Sequence, residues 1–64
     1  MKFIVDNMTC AHCKMHVEKA LKAVGFKKIN VDLETKVVSC ESKKYTLEDA
    51  KQAITGVGYN FTEL

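Results

Sequence analysis

The chain has 64 residues, with ten lysines, no arginine and eight acids for a formal charge of +2, and 47% of it is hydrophobic, an ordinary globular balance. A chain this short buries only about 60% of the surface its unfolded form exposes, which leaves room for small surface sites but not for a deep cleft lined by many catalytic groups. The charge surplus is slight and the lysines are mixed with acids without an aromatic stripe, which argues against a nucleic-acid-binding surface.

Phe3, Ile4 and Val5 form a short apolar run that Asp6-Asn7 breaks, predicting a first strand of about four residues. From His12 onward, Val17, Ala20, Leu21 and Val24 recur at helical spacing and Gly25 follows, predicting a helix over 12–24. Ile29, Val31 and Leu33 alternate with Asn30 and Asp32, and Val38 and Cys40 alternate with Ser39. Two half-buried strands joined by a short hairpin connection follow from that pattern. Thr46 stands as an N-cap with Asp49 at the third helical position, and Leu47, Ala50, Ile54 and Val57 form an apolar stripe that Gly56 caps. Tyr59 and Phe61 read as a closing strand. The order βαββαβ is the split-βαβ, ferredoxin-like α+β arrangement, in which two helices cover one face of a four-stranded antiparallel sheet. We expect residues 1–64 to form this single domain around a core that includes Phe3, Val5, Val17, Leu21, Ile29, Val31, Val38, Leu47, Ile54 and Phe61.

No segment approaches the roughly 20 consecutive apolar residues of a membrane span, and Asp6 arrives too soon for a signal-peptide core, so the expected setting is cytoplasmic. Three cysteines cannot all pair with one another, and a reducing compartment disfavours a disulfide scaffold, so the thiols need another purpose. Cys10 and Cys13 lie in the loop before the first helix and in its opening turn, where the helix N-terminus favours thiolate, the form that ligates metal. Two soft donors with no carboxylate nearby suit soft ions, Cu(I) above all, and their small number leaves an ion open to attack by another thiolate. A closed structural zinc site would take four ligands, and the sequence offers no second CxxC pair. A thioredoxin-like redox role is disfavoured by the small size of the chain and by its lack of any proline.

Met8-Thr9-Cys10-Ala11-His12-Cys13, in this element order and with Gly58-Tyr59 leading toward the last strand, resembles the heavy-metal-associated domain family over essentially the whole chain. The resemblance is to the bacterial copper chaperones that carry Cu(I) to P-type copper ATPases. It implies Cys10 and Cys13 as the Cu(I) ligands, Met8 as a core residue that shapes the loop, and Tyr59 beside the metal. The function implied is that of a carrier rather than an enzyme, monomeric when apo and open to metal-bridged dimerisation. Asn7 stands where the family commonly has glycine, and Asn tolerates left-handed backbone. His12 and His16 are candidate additional ligands, with a Cys10–Cys13–His16 zinc site conceivable because positions 13 and 16 share a helix face. Such a site would point instead to buffering or detoxification of zinc, cadmium or mercury, and the same domain could also be a module of a copper ATPase. Cys40, alternating with Val38, is expected to fill the core rather than bind metal.

Overall fold

The computed structural model describes residues 1–64. In chain order the elements are β1 (Lys2–Ile4), α1 (Ala11–Val24), β2 (Lys27–Val31), β3 (Val37–Glu41), α2 (Leu47–Gly56) and β4 (Thr62–Glu63). The strands form one sheet in the order β2-β3-β1-β4, antiparallel throughout, with the two helices packed on one of its faces. This is the expected ferredoxin-like arrangement. Its antiparallel course puts the β1–α1, β2–β3 and α2–β4 connections at one end, and the α1–β2 and β3–α2 connections, with Met1, at the other.

Register explains the core. Val31 pairs with Val38 and Val38 with Phe3, so three apolar side chains form one row across the sheet toward the helices. Cys40, two residues beyond Val38, falls on the same face and is 1% exposed. Val17 and Leu21 of α1 and Ala50 and Ile54 of α2 close the layer from above, and Phe26, Val5 and Met8 seal its ends. Ile29, Leu47 and Phe61 are only half-buried against this core, and Val57 is exposed, because α2 ends before it. Phe61 still packs on Phe3, ring centroids 4.8 Å apart.

Three boundaries differ from the periodic reading, each for a local reason. β2 stops at Val31 because the Asp32 carboxylate accepts the backbone N–H groups of Glu34 (2.9 Å) and Thr35 (3.3 Å), which starts the hairpin turn before Leu33. Lys36, with φ 65°, completes that turn. The glycine that caps α2 is Gly58, not Gly56. At φ 88° it allows Gly58 N–H to reach the Thr55 carbonyl (3.1 Å) and Tyr59 N–H to reach that of Ile54 (3.2 Å), the paired bonds of a Schellman ending. That ending keeps Tyr59 in the loop, so β4 begins only at Thr62. The N-terminus of α2 follows expectation, with Thr46 N–H donating to the Asp49 carboxylate at 2.9 Å.

Gly25 ends α1 at φ 124°, its N–H on the Leu21 carbonyl (3.2 Å), and a Cβ there would lie 2.7 Å from the Tyr45 ring. Neither helix is long and apolar enough to cross a membrane.

A thiol pair at the loop end of the sheet

Cys10 is the N-cap of α1 in extended backbone (φ −150°, ψ 173°), and its carbonyl accepts the Lys14 N–H at 3.1 Å. Its side chain plays no part in capping and is exposed. Cys13, in the first turn, is half-buried, and the Cys10 thiol donates to its sulfur across 3.5 Å. Both are free thiols at the open end of the molecule. The largest depression in the surface, about 720 Å³ and lined by Lys27, Lys28, Lys43, Lys44 and Tyr45 among others, belongs to the opposite end. The thiols therefore sit on a surface that another protein can touch, not in a cleft.

The Cys13 thiol is held well below its ordinary 9, at about 6. The Tyr59 hydroxyl contributes most, followed by the backbone at Thr9, the Cys10 thiol and the Cys10 backbone, while desolvation opposes them. Tyr59 answers in the other direction: its bond to Cys13, then desolvation and the nearby sulfur charges, raise its hydroxyl to about 12. The hydroxyl thus keeps its proton and donates it to the Cys13 thiolate. Its oxygen also lies 3.3 Å from His16 Nδ1.

Several residues that hold this arrangement were not legible in the motif. Asn7 is not left-handed. Its side-chain oxygen accepts the Asn60 N–H at 2.9 Å, and its amide reaches the Gly58 carbonyl at 3.5 Å. Asn60 in turn donates to the Asp6 carboxylate at 3.0 Å. These bonds tie the β1–α1 loop to the loop that carries Tyr59. From the hairpin, the Lys36 ammonium donates to the Met8 carbonyl, so all three connections at this end are joined. Met8 itself is wholly buried, as expected, and forms the floor of the loop. His12 and His16 are exposed on α1. No three His, Cys, Asp or Glu side chains gather around one point, so Cys10, Cys13 and His16 do not form a three-ligand cluster. Cys40 is buried on the sheet, as expected.

A βαββαβ domain that presents two free thiols where its first loop meets α1 defines a metal-binding class of protein. The chain belongs to the heavy-metal-associated domain family, which matches residues 2–60. It is 40% identical to the copper transport protein ATOX1 homolog of Dictyostelium discoideum, with 88% of this chain and 84% of that protein covered. To the copper chaperone CopZ of Staphylococcus epidermidis it is 36% identical, over 88% of this chain and 87% of that one. Among solved structures, apo-CopP from Helicobacter pylori superimposes with a TM-score of 0.85 at 30% identity, covering 97% of both chains. The chain also matches far longer proteins at 34% identity over 91% of its length. It spans 11% of a Staphylococcus aureus mercuric reductase and 8% of a Bacillus subtilis copper-exporting P-type ATPase.

Proposed function

We propose that residues 1–64 form one metal-carrier domain that binds a single Cu(I) through Cys10 and Cys13 and delivers it by thiolate exchange to a metal-binding domain of a P-type copper ATPase. The observation that carries this reading is the thiol pair, 3.5 Å apart, with Cys10 exposed and Cys13 acidified to about 6. At neutral pH Cys13 is a thiolate without help from the metal, and two soft donors favour Cu(I) over harder ions. With only two protein ligands, the ion stays open to a third thiolate from a partner. Transfer then passes through a three-thiolate intermediate: the incoming sulfur bonds to copper, one resident sulfur leaves, and copper stays in the +1 state throughout. Near-full-length similarity to proteins named as copper chaperones supports this reading, as does similarity to part of a copper-exporting ATPase. The domain acts as a cytoplasmic carrier rather than a catalyst, monomeric without metal.

The test is transfer itself. Cu(I)-loaded protein mixed anaerobically with an apo metal-binding domain from a copper ATPase should exchange its metal, with NMR changes confined to residues 8–13 and 58–60. Retention of all the copper by this chain, at a similar affinity of the two domains, would sink the carrier reading. A second reading, a mercury-, zinc- or cadmium-binding protein of buffering or detoxification, draws on the 34% identity to part of a mercuric reductase. Tighter Hg(II) or Zn(II) than Cu(I) binding in the same assay would favour it.

A further inference from the structure

The exposed face of α1 beside the thiols carries a feature that the copper reading leaves unused. His12 and His16 are four residues apart, both lie within the continuous helix Ala11–Val24, and both are exposed. On a helix that spacing puts side chains one above the other, with Cβ atoms about 5–6 Å apart, which lets two imidazoles reach one ion. His16 also has a partner on one ring nitrogen: Nδ1 lies 3.3 Å from the Tyr59 oxygen, and Nε2 has no hydrogen-bond partner. Metal-bound histidines commonly have such a partner on the other ring nitrogen, because it sets the tautomer and the ring orientation.

We propose that His12 and His16 form a second metal site, distinct from the thiol pair, for a borderline divalent ion such as Zn(II) or Ni(II). Imidazole suits these ions, whereas Cu(I) prefers the sulfurs. No third His, Cys, Asp or Glu converges there, so water completes the coordination and the ion exchanges readily. The site lacks a general base and a closed shell, so it binds but neither catalyses nor holds the fold together. Its position one turn from Cys13 places a divalent ion on the same exposed end at which the sulfurs meet a partner.

The probe is Ni(II), titrated into the full chain carrying Cys10→Ser and Cys13→Ser so that the thiol pair is silent, and followed by paramagnetic broadening in NMR spectra. Saturable one-to-one broadening centred on residues 12–16, including both imidazole resonances, is the expected result. Adding His12→Ala or His16→Ala should weaken binding by about tenfold or more, since each leaves a single imidazole. Both positions are exposed and helical, so alanine keeps the fold, which the same spectra verify. Broadening unaffected by His12→Ala, or centred on the N-terminal amine of Met1 at the other end of the molecule, would overturn the site.

Discussion

Cys13 and Cys40 carry the same side chain in one small domain, and their surroundings push them in opposite directions. Cys13 sits in an end loop where hydroxyl, backbone and thiol groups converge on its sulfur, and its thiol falls to about 6. Cys40 sits in the middle strand pair under both helices, where desolvation raises its thiol above the ordinary 9 against a weaker pull from the terminal amine. Burial alone would make both thiols inert. What separates them is whether donors are aimed at the sulfur: the loop end supplies hydrogen-bond donors to Cys13, and none reaches the Cys40 sulfur on the sheet.

The largest expected effect removes the reactive side of that contrast. Cys10→Ser or Cys13→Ser should lose Cu(I) altogether in competition with a chromogenic chelator, while circular dichroism keeps the parent's folded spectrum. Next comes Tyr59→Phe, which deletes one oxygen. Cys13 should then titrate higher, from about 6 back toward 9, and Cu(I) should be lost to a chelator about tenfold more readily. Alkylation rate against pH reads the first effect directly: the parent's fast phase rises with a midpoint near pH 6, and an unmoved midpoint in the variant would return Tyr59 to a packing role. The inert side is tested by Cys40→Ala, which should leave copper binding intact and cost about 1 kcal/mol of stability by chemical denaturation. The smallest effect is expected from Asn7→Ala. It loosens the strap on Gly58 and Asn60, costing about 1 kcal/mol or less and speeding amide exchange at 58–60 without touching either sulfur.

Linkage gives the two thiols opposite pH signatures in the apo protein. Cys13 releases its proton more readily folded than unfolded, so its contribution to stability is absent below about pH 6 and grows toward pH 9. Cys40 holds its proton more tightly folded, so its contribution is complete below pH 9 and declines as the pH rises beyond that. Denaturation midpoints of the parent, Cys13→Ser and Cys40→Ala between pH 5 and pH 10 would separate the two.

Much of this was legible in the chain because periodicity is a local property. Alternation placed Cys40 inward, the stripe through Val17 and Leu21 defined α1, and the CxxC spacing singled out Cys10 and Cys13. The three loops at the metal end resisted the same reading because their geometry depends on bonds between distant positions. Asn7 finds its role only when residue 60 arrives beside it, and Lys36 only when the hairpin folds back over Met8. Apolar spacing puts the cap of α2 at Gly56 rather than Gly58, because a Schellman ending is set by one positive φ, which that spacing does not encode.

Gly25 carries a lesson for anyone who maps this protein by saturation mutagenesis. Its turn lies at the end remote from the sulfurs, yet any side chain there meets both a forbidden backbone angle and the Tyr45 ring 2.7 Å away. A growth-based screen would score position 25 as intolerant alongside Cys10 and Cys13. Separating the two kinds of intolerance takes a measurement of protein abundance beside the selection: variants at Gly25 would vanish from the cell, and variants at the cysteines would accumulate without function.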